Sequence, residues 1–270
     1  MEALLRLLGG EAAATEWLAV GGLVAARVGP LTVLAPWLSL KRTPPVIRGA
    51  LVLALTLALT PLALPGAREA VMAMGGLTYG AAVLREAMVG TLFAVATALP
   101  FYALDWAGRL TDTWRGASMS EVIAPNTGER TSPLGDLHMM LGIALFLTLG
   151  GHRLALAAFA EGLRVAPVGS VDLAGRADAL ALGAALLTGS ALAFALAIAA
   201  PAAAAIVTVE VSLGLLARSA PQVPVFFAGM PLRAATGLAA ALLAISLVSA
   251  QLPEAFRAAI DLGRRWVVGD

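Results

Sequence analysis

The sequence predicts an all-α membrane protein of roughly six to eight helices, including helical hairpins broken by proline. Composition is the first reason: 60% of the 270 residues are hydrophobic and only 13% are charged. Soluble domains are about 45–50% apolar and about a quarter charged. So little charge cannot cover a water-facing surface, and the excess apolar surface must face lipid or equally apolar partner subunits.

Long apolar runs are the second reason, since a membrane-spanning helix needs about 20 apolar residues. One charge-free run, 179–209, is too long for one simple span. Pro201 lies within this run and predicts a kink or hairpin near 200–202. We expect residues 1–270 to form a single membrane domain. The other charge-free runs that approach or reach spanning length are 49–64, 87–104, 137–149 and 234–252.

The composition also excludes several functions. The net charge of +1 provides no basic surface for nucleic acid. The absence of cysteine excludes disulfides, thiolate chemistry and cysteine metal sites. The acidic start of the chain does not resemble a cleaved signal peptide.

Residues 105–136 are expected to form a polar loop. The first part of this segment has charges at helical spacing, so these side chains would share one face of a helix. Their signs alternate at spacings of four, three and three, so neighbours can form ion pairs. A solvated ion ladder is one interpretation; a helix beside a polar conduit or a partner subunit is the other. Turn residues follow, and a helix is expected to restart with Ser132 as N-cap and Pro133 at its first position. The residues expected on the polar helix, at the conduit or subunit contact, are Asp105, Arg109, Asp112, Arg115 and Gly116.

Two charges stand within otherwise apolar runs. Glu210 follows a long charge-free stretch, and an intramembrane carboxylate can take part in proton transfer. Alternatively it is neutral, or it pairs with Arg218 or with an arginine of a neighbouring chain. Arg27 lies in the first apolar region, and a buried arginine needs a partner.

A proline-rich stretch between residues 218 and 233 predicts a structured break between two apolar helices. Non-helical backbone at membrane depth must be buried in protein or line a cavity, which favours assembly into a larger complex. With Pro201, the residues expected to form this conformational or interface break are Arg218, Pro221, Gln222, Phe226 and Arg233.

No catalytic pattern is present. His138 and His152 fall in no H-E-x-x-H motif, and the sequence contains no phosphate-binding loop and no nucleophile elbow. We therefore expect no enzyme activity, no cofactor and no metal.

Four pieces of the chain, in this order and spacing, resemble the SctT/FliR family, the T subunit of type III secretion export gates and its flagellar counterpart. Residues 25–61 resemble the family's opening, and 105–135 its D-x-x-R-G and T-S-x-L-G elements. Gly150-Gly151-His152 and Pro167-Val168-Gly169 resemble its G-H and P-x-G landmarks. The C-terminal signature is carried by Pro201, Glu210, Gly214, Arg218, Pro221, Gln222, Phe226, Pro231 and Arg233.

The departures from the family pattern are Pro224, where the family often has Asn, and Arg233, where it often has Lys. Arginine keeps the charge but not the geometry of lysine. The segment Asp112-Thr-Trp-Arg115-Gly116 resembles injectisome members more than flagellar ones.

The resemblance implies a role without chemistry of its own. With R- and S-type subunits the chain would form a helical ring that closes the entrance of the protein-conducting channel, with U- and V-type export proteins nearby and secreted proteins in transit. It would lie in the bacterial inner membrane, multi-pass or assembled partly above the membrane plane. The alternatives are a flagellar export-gate subunit, a stand-alone secondary transporter, and an intramembrane enzyme, which lacks a catalytic constellation.

Overall fold

The computed structural model describes residues 11–39, 44–116, 132–222 and 224–268. Within these ranges the chain forms seven α-helices, one short 3₁₀ helix at Ala174–Arg176 and no strand. The predicted all-α fold is confirmed. The helices are α1 (Glu11–Leu34), α2 (Pro45–Met72), α3 (Gly76–Trp114), α4 (Pro133–Thr148), α5 (Gly151–Val165), α6 (Ala177–Ser219) and α7 (Val225–Val268).

Four of the described helices are long and apolar enough to cross a membrane: α1, α2, α3, and α6 with its preceding 3₁₀ turn. The pairs Pro133–Thr148 with Gly151–Val165, and Gly229–Ala244 with Ser249–Val268, qualify only when each pair is counted as one broken span. Length and composition thus allow four to six spans, in agreement with the membrane protein predicted from composition.

Proline interrupts the helices less than the sequence suggests. Of the kink or hairpin predicted near residues 200–202, the hairpin is wrong, because α6 runs from Ala177 to Ser219 through Pro201. The kink stays a prediction. Likewise α2 continues past Pro61 and Pro65 to Met72. Proline removes only one hydrogen bond, whereas ending a helix in an apolar environment leaves several backbone groups without partners. Continuing the helix is therefore the less costly solution.

Helix ends follow local sequence signals. Pro44 is the N-cap of α2 and Pro45 is its first residue. The first amides of a helix have no partner within it, so proline, which has no N–H, is tolerated there. Ser132 caps α4 by accepting a hydrogen bond from the Gly135 amide at 3.1 Å, as predicted. Gly150, with φ +75°, separates α4 from α5 by a left-handed turn.

The polar loop predicted at about 105–136 is helical at both of its ends. Residues 105–114 continue α3, and residues 133–136 already belong to α4. The sequence from Asp105 has helical charge spacing and lies directly after an apolar helix, so the helix continues until Gly116 takes φ +80°. Residues 117–131 lie outside the described part of the chain.

The chain divides into two compact units. The first comprises residues 1–98, 150–184 and 257–270, and the second comprises 99–149 and 185–256. The core of the first unit contains buried residues of α1, α2, α3 and α5, such as Leu23, Phe93 and Phe159. Phe93 and Phe159 meet edge to face with ring centroids 5.3 Å apart. The single membrane domain over 1–270 stays a prediction.

The core of the second unit centres on three phenylalanines. Phe101 of α3, Phe146 of α4 and Phe256 of α7 have ring centroids 4.7–5.3 Å apart. Close to this cluster, α3 and α4 approach so tightly that a Cβ at Gly108 would overlap the backbone at Gly135. This close approach brings the polar end of α3 against the start of α4.

Candidate functional site

The four charges predicted on one face of α3 form two separate ion pairs in the structure. Arg109 Nε lies 2.7 Å from Asp105 Oδ2, and Arg115 Nη2 lies 2.7 Å from Asp112 Oδ1. Both aspartates are buried, while Arg109 is half-exposed. A solvated ladder would leave its carboxylates in water, so the burial of both aspartates argues against that interpretation. A helix beside a polar conduit or a partner subunit stays a prediction.

Asp112 also connects α3 to α4. The Ser132 hydroxyl donates a hydrogen bond to Asp112 Oδ2, and the Leu134 amide donates to the same oxygen at 3.1 Å. Asp112, Ser132 and Leu134 are all buried. One carboxylate therefore accepts from an amide at the start of α4 and pairs with the arginine that directly follows α3, so charge-assisted hydrogen bonds join the two helices here.

Arg27 has the partner that its burial requires, and that partner was not found from the sequence. In the first unit Arg27 Nε lies 2.5 Å from Glu86 Oε2 on α3, and Nη1 donates to the Ala166 carbonyl at 3.0 Å. Arg27 is 1% exposed and Glu86 is fully buried. The sequence signal that could have identified this partner is the acidic residue Glu86, which directly precedes the apolar run 87–104.

The same pair holds the turn after α5. The Gly169 amide donates to Glu86 Oε1 at 2.8 Å, and the Arg85 guanidinium donates to the Gly169 carbonyl. Gly169 adopts φ +88°, a backbone conformation that residues with a Cβ rarely adopt. The P-x-G element noted in the sequence is therefore the segment that the buried charges of α1 and α3 fix in place.

Glu210 pairs with Arg233, not with Arg218. In the second unit Arg233 Nε of α7 lies 2.6 Å from Glu210 Oε1 of α6. The Glu210 side chain is 45% exposed and that of Arg233 22%. The two helices run past each other across the intervening turn, which brings together residues 23 positions apart in the sequence. Arg218 lies nearer in sequence but is exposed in the last turn of α6.

The other residues predicted at the break are not all brought together at this turn. Pro201 is exposed within α6, and Pro221 and Gln222 are exposed in the turn between α6 and α7. Phe226 begins α7. The break is therefore real but short, because α6 ends at Ser219 and α7 begins at Val225.

No group of three or more His, Asp or Glu side chains in the described ranges is arranged to hold a metal ion. The ion pairs of Arg27 with Glu86 and of Glu210 with Arg233 instead join helices within each unit.

Comparison with known proteins decides the family. Residues 18–259 match the model described as "Bacterial export proteins, family 1", and this range includes all the ion pairs described above. The chain belongs to this family of bacterial export proteins. The resemblance to the SctT/FliR family is thereby confirmed.

Individual relatives agree with this assignment. The chain is 29% identical to the secretion system apparatus protein SsaT of Salmonella typhimurium over 81% of this chain and 83% of the relative. It is 28% identical to the flagellar biosynthetic protein FliR of Escherichia coli over 84% and 82%. It is 30% identical to the Yop proteins translocation protein T of Yersinia pestis over 56% and 58%. This family of export proteins thus includes both secretion and flagellar relatives.

Proposed function

We propose that the protein is the T subunit of a type III secretion export gate and forms, with R- and S-type subunits, the closed entrance of the protein-conducting channel. The observation that carries this proposal is the family match over residues 18–259, together with relatives named for secretion and translocation. In this role the protein contributes structure to a conduit and carries out no enzymatic reaction.

The distribution of polar and apolar side chains supports a subunit of a larger assembly. Many large apolar side chains of α6 are exposed, among them Leu182, Leu186 and Leu196 at 53–66%. The same helix carries the half-exposed Glu210 on its surface. Apolar surface of this extent requires lipid or partner helices, whereas a half-exposed ion pair is poorly suited to lipid. Neighbouring subunits that cover part of this surface satisfy both requirements.

We place the assembled protein in the bacterial inner membrane, next to U- and V-type export proteins and in contact with secreted proteins in transit. The four to six possible spans support a membrane location.

Co-purification tests the proposal. The tagged full chain is co-expressed with R- and S-type subunits, extracted in mild detergent, and the mass of the product is determined. We expect one large complex that contains both partners. A monomer or homodimer without either partner would favour a stand-alone transporter.

A flagellar export gate is the second candidate, because the FliR relative of Escherichia coli is matched over 84% of this chain. Complementation separates the two. The gene is introduced into strains that lack either the injectisome T subunit or its flagellar counterpart, and effector secretion and swimming are measured. Because Asp112-Thr-Trp-Arg115-Gly116 resembles injectisome members, we expect restored secretion; restored swimming alone would assign the chain to the flagellum.

A further inference from the structure

His138 of α4 is an imidazole buried without hydrogen bonds in the second unit. It is 3% exposed, and neither ring nitrogen has a hydrogen-bond partner. The main chain of Leu104 lies beside the ring but outside hydrogen-bonding geometry. A neutral imidazole has one donor and one acceptor to satisfy, and a buried polar group without a partner is costly. Such a residue needs an explanation beyond packing.

Asp105 provides a matching group on the facing helix. It is 6% exposed; Oδ2 is bound by Arg109, but Oδ1 has no hydrogen-bond partner. This free oxygen is directed at α4, because a Cβ on Gly135 would lie 2.6 Å from it. Gly135 precedes His138 by three residues, so the two lie on the same face of α4.

Asp105 and Asp112 both contact α4 about one helical turn before His138: Asp105 Oδ1 faces Gly135, and Asp112 accepts from the Leu134 amide. Each carboxylate also has an arginine partner, Arg115 and Arg109 respectively. Burial disfavours a charged imidazole, whereas two adjacent carboxylates favour it. Asp112 is the more constrained of the two, because it already accepts from Ser132 and from the Leu134 amide.

We propose that His138 and Asp105 form a buried proton-binding site between α3 and α4. The imidazole takes one proton from water and becomes an imidazolium with two N–H donors, for which the free Oδ1 of Asp105 and the Leu104 carbonyl are the available acceptors. The local charge then rises by one. This inference goes beyond the export role and does not depend on it.

Proton uptake at this site has a consequence for the junction of the two helices. Because both N–H groups are then used, the new positive charge acts on the Asp112 carboxylate through space and draws it away from Arg115, Ser132 and the Leu134 amide. Binding of a proton by His138 should therefore weaken the hydrogen bonds that hold the start of α4 to the end of α3.

The test uses the fact that the chain contains only two histidines. His152→Gln leaves His138 as the single histidine, and the full chain, labelled with ¹³C and ¹⁵N histidine, is followed by NMR in lipid nanodiscs from about pH 5 to 8. We expect one reversible titration. In Asp105→Asn its midpoint should fall by about one pH unit. In Glu254→Gln, which removes an exposed carboxylate of the second unit, it should not move.

Hydrogen exchange at the Leu134 amide provides the second readout. Its protection should decrease at low pH in the protein that contains His138 but not in His138→Gln. An imidazole in one protonation state throughout, or a midpoint unchanged by Asp105→Asn, would overturn the proposal. The titration of the His152→Gln protein alone shows whether His138 changes its protonation state, even if Asp105→Asn does not fold.

Discussion

Arg27 and Glu86 meet 2.5 Å apart in the interior of the first unit, although 59 residues separate them in the sequence. Each is at most 1% exposed. Arg27 also reaches the Ala166 carbonyl, and Glu86 binds the Gly169 amide. The pair therefore joins α1 and α3 to the turn that follows α5, so the position of this turn depends on two charges that must both be present.

Removing one partner of this pair should destabilise the protein strongly. Arg27→Met or Glu86→Leu alone leaves an uncompensated buried charge, for which we expect a loss of about 3–5 kcal/mol. The double variant Arg27→Met/Glu86→Leu should recover most of this loss, since apolar side chains can replace a buried ion pair. Thermal unfolding of the purified full chain in detergent measures the effect.

The exposed pair of Arg68 and Glu16 is the matched control. Arg68 is 64% exposed and lies 2.8 Å from Glu16. Arg68→Met should cost no more than about 1 kcal/mol, as for other surface ion pairs. If Arg27→Met and Arg68→Met lowered stability equally, the buried pair would have no special role in holding the turn.

Sequence reasoning succeeded where the determinant was local. The helical spacing of charges from Asp105, the Ser132 cap and the apolar runs were all visible because each depends on residues within about one helical turn or on composition. It failed where helix packing chose the partner: the burial of Arg27 predicted the need for a counter-charge but could not identify Glu86. Likewise, proximity in the sequence suggests Arg218 as an ion-pair partner of Glu210, but in the fold Glu210 pairs with Arg233.

Asp112 should be more important for secretion than an exposed charge elsewhere. Asp112→Ala removes the acceptor of Ser132 and Leu134 and leaves Arg115 without its carboxylate, with an expected cost of about 1–3 kcal/mol for the buried groups. Arg115→Ala leaves Asp112 buried without its cation. Effector secretion from a strain that carries each variant measures the effect.

Arg257→Ala is the control for this comparison. Arg257 is exposed and lines an open groove of about 420 Å³ between α5 and α7 in the first unit. We expect nearly unchanged secretion from this strain. Equal secretion from all three strains would show that the charged end of α3 has no special function.

Glycines at helix contacts should not tolerate even a methyl group. A Cβ at Gly90 of α3 would overlap the Arg27 carbonyl of α1, and a Cβ at Gly108 would overlap the backbone at Gly135. Because backbone cannot move aside cheaply, Gly90→Ala and Gly108→Ala should each cost about 1–3 kcal/mol. Thermal unfolding in detergent is the measurement.

Gly80→Ala is the control on the same helix. No atom lies within 4 Å of the Cβ position at Gly80, so alanine should stabilise the helix by about 0.5–1 kcal/mol. A loss of stability in Gly80→Ala as large as in Gly90→Ala would mean that the glycines of α3 serve another purpose than close packing.

The Glu210–Arg233 pair can report what covers the outer face of α6 and α7. In water a half-exposed pair contributes about 0–1 kcal/mol, whereas a lone charge at the centre of a bilayer costs about 2.5–3.5 kcal/mol. Glu210→Gln leaves Arg233 without its carboxylate. If partner subunits exclude water from this face, the variant should reduce the yield of the co-purified complex severalfold, and the exchange Glu210→Arg/Arg233→Glu should restore much of it.

The exposed Glu254, changed to Gln, provides the matched loss of one negative charge on α7. A yield equal to that of Glu254→Gln would indicate instead that water reaches the pair in the assembled gate, since only a solvated arginine can lose its partner at so little cost.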